Sequence, residues 1–182
     1  HEQEKFSLTL MQTMGIDMAH CGLGTTEHPF TTSLGSHHDV RITTNYDRGN
    51  VSFSMYSVIH EGGHALYDMG SADDLAYTLL DGGVSMGIHE SQSRFYENLL
   101  GRSRGFINYI FPKMKECFPE QMKGYTAEDV YRAINRVTPS LIRTEADEVT
   151  YCLHVMVRYE LEKRVISGEL EVKDLPSEWN KL

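Results

Sequence analysis

The chain has 182 residues, enough for one domain with a sizeable core. Hydrophobic residues make up 40% and charged residues 24%, the balance of an ordinary globular protein rather than a disordered or membrane-embedded one. A net charge of -9 leaves no basic surplus to replace phosphate counterions, which excludes a nucleic-acid backbone as partner. No apolar run reaches the ~18 residues of a membrane-spanning helix.

The three cysteines, Cys21, Cys117 and Cys152, are odd in number and show no C-x-x-C pairing, so neither a disulfide framework nor a thiolate metal knuckle is expected. They read as small buried apolar residues, and their use points to a reducing, cytoplasmic setting. His1-Glu2-Gln3-Glu4-Lys5 shows no basic region followed by an apolar core, so no secretory signal is visible in this stretch.

Residues 2–14 read as a helix, with Phe6, Leu10 and Met14 spaced by four and Gly15 as its end. It starts without a capping signal, which suggests an excerpt of a longer chain. Cys21 to Phe30 reads as a glycine- and threonine-rich connection. Asp39 to Tyr46 alternates apolar and polar residues with many β-branched types, the pattern of a strand. Asp47-Arg48-Gly49-Asn50 forms a turn that supplies Asn50 as N-cap for a helix over Val51 to Met69, stopped at Gly70.

Leu75 to Leu80 reads as a short helical turn, and Val84 to Leu100 as a second long helix ended by Gly101. Arg104 to Phe111 reads as a helix that stops before Pro112, with the proline opening another short one. Thr126-Ala127-Glu128-Asp129 resembles a capping box and starts a helix to about Val137. The last long helix covers about Thr144 to Ile166, with Ala146, Val149, Leu153, Met156 and Val165 near one face and Gly168 as stop. Leu175-Pro176-Ser177-Glu178-Trp179 reads as a proline-led helix start. The expected fold is mainly α: one helical domain over residues 1–182, with a small β element before the Val51–Met69 helix.

That helix carries His60-Glu61-Gly62-Gly63-His64 inside an apolar run. Residues four apart share a helix face, so His60 and His64 can aim both imidazoles at one ion. Glu61 sits about 100° round the helix, placed to reach a water beside the ion rather than the ion itself. This is the core of a zinc hydrolase site. Gly62 and Gly63 each cost about 1 kcal/mol relative to alanine in mid-helix, so a close approach of substrate or of another backbone is expected there. A catalytic zinc takes three protein ligands and leaves one position open. The next long helix offers Glu90 and His89, which point about 100° apart, so only one of them can serve. Chemistry alone gives Glu90 a slight preference, against a plain i,i+4 pair with Arg94.

Taken in order, His28-Pro29-Phe30, Asp39-Val40-Arg41-Ile42-Thr43, His60-Glu61-Gly62-Gly63-His64, His89-Glu90-Ser91-Gln92 and Ile142-Arg143-Thr144-Glu145-Ala146-Asp147 resemble the motifs of the M32 zinc metallocarboxypeptidases, the carboxypeptidase Taq family. The resemblance implies that His60, His64 and Glu90 bind zinc and that Glu61 is the general base. It implies a helical groove closed at one end, suited to trimming peptides from a free C-terminus. It also implies that Arg41 and Arg143 lie near that end, where a planar guanidinium can hold a carboxylate through two hydrogen bonds. A structural ion pair with Asp39 or Asp147 is the alternative for each arginine. Family members are much longer, are commonly homodimers, and carry a further Gly-x-x-Gln-Asp-x-His-Trp motif downstream, so this chain reads as an internal segment. Cobalt or another divalent ion is the alternative to zinc. A zinc endopeptidase or aminopeptidase, and a fragment that folds and binds metal without turnover, are the alternatives for function.

Overall fold

A computed structural model describes residues 1–182, with the side chain of Glu145 outside the described set. The chain forms two compact units, residues 1–134 and 135–182.

In the first unit, α1 (Glu2–Met14) buries Phe6, Leu10 and Met11. Three strands follow: β1 (Cys21–Thr25), β2 (Thr31–Ser33) and β3 (Val40–Thr44). They form one sheet in the order β1-β3-β2, with β1 parallel and β2 antiparallel to the central β3. β3 is the strand expected from alternation, and Val40 and Ile42 are fully buried. The stretch read as a loop from Cys21 is in fact β1, and the residues after Phe30 form β2. Gly22 and Gly24 give β1 little strand propensity. Its state comes from pairing with β3, Cys21 opposite Val40 through Thr25 opposite Thr44, a tertiary effect that local sequence does not display.

Helix α2 (Val51–Met69) starts where expected, with the Asn50 side chain accepting from the Ser52 amide. It buries Met55, Val58, Ile59 and Ala65 among α1, the sheet and the next helix, so apolar residues occur round most of its circumference. α3 (Met86–Arg94) begins at Ser85, whose hydroxyl accepts from the Ile88 amide, and passes into a π-helical segment, Phe95–Gly101. One regular helix was expected here. The wider π turns carry Glu97 inward, where it is buried, in keeping with the placement of such turns at functional sites.

The expectation that Pro112 starts a new helix is corrected: α4 (Arg104–Cys117) runs through it. Pro112 removes one helical hydrogen bond, but Ile107, Ile110, Met114 and Cys117 all bury on one side, and that packing carries the helix past the break. The capping box before α5 (Ala127–Ile134) forms as read, with Asp129 as the reciprocal partner: the Thr126 amide donates to Asp129 and the Asp129 amide to Thr126 Oγ1.

In the second unit, Arg143–Glu145 makes a short 3-10 turn and α6 (Glu148–Ile166) starts later than expected, because the Asp147 carboxylate accepts from the Val149 and Thr150 amides. The apolar face expected on α6 is not buried: Val149, Leu153 and Met156 are exposed, and Leu161 is the buried position. Cys152 is likewise exposed, against the expectation for it, whereas Cys21 and Cys117 are buried. α7 (Leu175–Trp179) closes the unit.

At Gly63 the backbone of α3 lies close against α2. A Cβ on Gly63 would sit 2.7 Å from the Ser93 Cα and 3.1 Å from the Gln92 carbonyl oxygen, both backbone atoms. Gly62 would meet mainly the flexible end of Met14, at 2.8 Å. Gly63→Ala is therefore expected to destabilise by about 1–2 kcal/mol, overpacking outweighing the roughly 1 kcal/mol gain in helix propensity. Gly62→Ala should cost less. Urea midpoints of both variants measure this, and equal midpoints would show that the helix contact tolerates a methyl group.

Candidate metal centre

The α2–α3 contact decides where the polar side chains meet. His60 and His64 lie one turn apart on α2, both half-buried, and Glu90 of α3 faces them. Glu90 Oε2 is 3.6 Å from His60 Nε2 and 3.4 Å from His64 Nε2. One donor atom from each of the three residues lies within 4.8 Å of the other two. Ligands about 2.0–2.2 Å from a tetrahedral ion stand about 3.3–3.6 Å apart, so this donor set fits a divalent cation.

Each histidine is held from behind. His60 Nδ1 is 2.7 Å from Glu97 Oε2, a carboxylate that also accepts from Arg94 Nη1 at 2.8 Å. Arg94 Nε donates to Glu90 Oε1 at 2.9 Å, so one guanidinium steadies both carboxylates. His64 Nδ1 is 2.8 Å from His89 Nδ1, and His89 Nε2 is 2.8 Å from Asp68 Oδ1. With neutral rings the proton order follows: His89 donates to Asp68 and His64 donates to His89. In that tautomer the Nε2 lone pairs of His60 and His64 both face Glu90 and need a cation between them, whereas a bond from His64 Nε2 to Glu90 without metal needs a proton there instead. Gly83 makes room for His89, since a Cβ there would lie 2.5 Å from the His89 ring and 2.7 Å from Tyr67.

Glu61 is buried, at 7% exposure, and its Oε2 accepts from Thr31 Oγ1 at 2.6 Å. The same hydroxyl lies 3.0 Å from the Glu61 carbonyl oxygen. Burial pushes the Glu90 carboxyl up, but the His64 hydrogen bond and the charges of His60 and Arg94 outweigh it, holding Glu90 at about 2. Burial is likewise outweighed at Glu97, mainly by its bond to His60, and that carboxyl too is held below the usual range.

His60, His64 and Glu90 thus converge, with Glu61 on the same helix. Arg41 does not join them: its Nε and Nη2 donate to both Asp39 oxygens at 2.9 and 3.0 Å, on the exposed side of β3. In the second unit, Arg143 Nη1 donates to the Tyr151 hydroxyl at 2.9 Å, and Asp147 is engaged in capping α6. Sequence reasoning missed Glu97, Asp68 and Thr31. Asp68 had a signal, four residues after His64 on the same face. Glu97 was obscured by the π turn, and nothing local marks Thr31.

The fold and the centre define a mainly helical protein with a His-His-Glu donor set built on His-Glu-x-x-His. A family model described as carboxypeptidase Taq (M32) metallopeptidase matches residues 1–182. Carboxypeptidase 1 of Bacillus subtilis is 46% identical over 179 residues, which cover 98% of this chain and 36% of that protein. Thermostable carboxypeptidase 1 of Pyrococcus furiosus is 46% identical over 178 residues, 97% of this chain and 35% of that protein. The crystal structure of an M32 carboxypeptidase from Deinococcus radiodurans R1 superposes with a TM-score of 0.93 at 48% identity, covering 98% of this chain and 36% of that one. The chain belongs to the M32 metallopeptidase family and spans about a third of the length of the curated relatives it matches.

Glu90 contributes stability as an anion, so that contribution is complete above its ordinary value of 4.5 and is lost as pH falls toward about 2. In metal-free protein, Glu90→Gln should flatten the fall of the urea midpoint across that window. Parallel curves for parent and variant would separate Glu90 from the acid response. Removing a carboxylate behind a ligand costs metal affinity about 10–100-fold. Glu97→Gln should therefore weaken metal binding by that factor in a chelator competition, with the fold retained by far-UV circular dichroism.

Proposed function

We propose that the protein is a metal-dependent carboxypeptidase that releases C-terminal residues from peptides. The observation that carries this reading is the convergence of His60, His64 and Glu90 beside a buried Glu61 in an M32 chain. Those three residues would hold the metal, and the nitrogen–oxygen donor set favours zinc, with cobalt the nearest substitute. When bound, such an ion supplies Lewis acidity toward a carbonyl and brings the pKa of a water down to about 7.

Glu61 is the general base. Thr31 donates to one oxygen of its carboxylate, which fixes the group's orientation and leaves the other oxygen to take a proton from the attacking water. The same carboxyl then returns the proton to the departing amine nitrogen. Glu97 and the His89–Asp68 pair keep the two ligand imidazoles in the tautomer that presents Nε2. Arg143, whose fork offers further donors beyond its bond to Tyr151, is the proposed anchor for the substrate's terminal carboxylate. Arg41, whose Nε and Nη2 donate to Asp39, is the second candidate for that role. We place the whole 1–182 segment in one catalytic domain. A cytoplasmic homodimer is part of the same proposal.

Because the chain spans 36% of its relative's length, turnover is proposed for the whole protein, and metal binding without turnover for the isolated 182 residues. In the full-length protein, Glu61→Gln should keep its metal and lose about 10²–10⁴-fold in kcat. Retained turnover would remove Glu61 from the general-base role. A short peptide with a free C-terminus should be shortened from that end and its amidated counterpart spared. Cleavage of both would favour an endopeptidase, and release of the first residue an aminopeptidase.

A further inference from the structure

A second group of donors meets where the turn before β3 faces the connection from α2 to α3. His37 Nε2 lies 3.2 Å from Asp73 Oδ1, and His38 Nε2 lies 3.4 Å from the same oxygen. One donor atom from each of these three residues lies within 4.8 Å of the other two. His37 is buried, and its Nδ1 is 2.9 Å from Oδ1 of Asp81, itself only 10% exposed at the side chain. A cavity of about 250 Å³ opens beside His37 and Asp81.

Three features of the His60–His64–Glu90 centre recur here. Two imidazole Nε2 atoms face one carboxylate oxygen, at 3.2–3.4 Å here and 3.4–3.6 Å there. Both spacings approximate the about 3.3–3.6 Å between ligands of a tetrahedral ion. One histidine of each pair, His37 here and His60 there, turns its other nitrogen to a shielded carboxylate, Asp81 and Glu97 respectively, the usual support for a metal-ligating imidazole. The outer side is open, since His38 and Asp73 are exposed, so solvent can complete a coordination shell.

His37 explains why the cluster calls for a cation. With Nδ1–H given to Asp81, its Nε2 must present either a second proton or a lone pair to Asp73. A proton there bridges only His37 and Asp73, whereas a divalent ion takes a donor atom from each of His37, His38 and Asp73.

We propose that His37, His38 and Asp73 form a second, structural metal site for a divalent first-row ion such as zinc, bound by two nitrogens and one oxygen. The neighbouring structure gives it a purpose. Leu79, Leu80 and Val84 of the α2–α3 connection are exposed, so that segment has little apolar packing of its own. It leads directly into α3, which carries Glu90. A metal at Asp73 ties it to the sheet.

The test is metal content of the full-length protein after equilibration with zinc and removal of the excess. His38→Ala and Asp73→Asn, both at exposed positions, should each lose one equivalent with an unchanged circular dichroism spectrum. Asp81→Asn should weaken that equivalent about 10–100-fold in chelator competition. Zinc should also slow proteolytic cutting within residues 71–85 of the parent, and leave the cutting of Asp73→Asn unchanged. A metal content unaltered by both His38→Ala and Asp73→Asn would overturn the site, whatever the first centre binds. The first centre is scored separately by His60→Ala/His64→Ala. An equivalent that survives that double variant and disappears with His38→Ala supports the second site even if the first proves empty.

Discussion

The approach of α3 to α2 at Gly63 is the constraint on which the centre depends. His60 and His64 are local neighbours and need only a helix. Glu90 belongs to a different helix, and its carboxylate reaches them because Ser93, one turn further along, can lie against α2 where Gly63 has no side chain. A glycine in mid-helix weakens α2 by itself. That local cost is offset by a helix contact that brings three donors together, so the requirement on Gly63 comes from packing and the benefit appears in chemistry.

Around the three donors, the polar groups are paired in a way that limits the cost of burying them. Arg94 lies between Glu90 and Glu97, and Arg102 approaches Glu97 at 3.6 Å. Asp68 accepts from His89 and also from Ser33 Oγ at 2.8 Å. A buried carboxylate without such partners would favour its neutral form. Here the partners overcome burial at Glu90 and Glu97, and both stay anionic. The anions in turn orient the imidazoles. Two supports of different kinds result: a carboxylate directly behind His60, and a histidine–carboxylate pair behind His64.

Much of this was legible in the sequence, for reasons that differ by residue. The α2 boundaries followed from Asn50 and the apolar period, and the His60–Glu61–His64 grouping from helical spacing alone. The choice between Glu90 and His89 was poised on chemistry. Geometry puts Glu90 against the two Nε2 atoms and His89 behind His64, so the 100° between them separates two jobs. Strand β1 was illegible because its glycines carry little strand preference and β2 because it is only three residues long, and the pairing of both with β3 is a long-range property. The course of α4 through Pro112 was hidden for a related reason, since the buried face that sustains it is a tertiary contact. α6 shows the reverse case: an apolar pattern invited a buried face, and its residues are exposed within the described structure.

The small sheet has a larger part in the centre than its size suggests. β2 is three residues long, and two of them hold α2: Thr31 donates to Glu61 and Ser33 to Asp68. Residues two apart on a strand project to the same face, so one short strand grips α2 at the proposed base and at the end of the His64 support. β2 is itself fixed by its antiparallel register with β3, Thr31 opposite Ile42 and Ser33 opposite Val40, the two buried residues that seat the sheet in the core. Apolar burial of Val40 and Ile42 is thereby transmitted, through backbone pairing and two hydroxyls, to the orientation of two carboxylates. The proposed proton-transfer geometry at Glu61 is a consequence of core packing on the shared face of β2 and β3 as much as of the His-Glu-x-x-His helix.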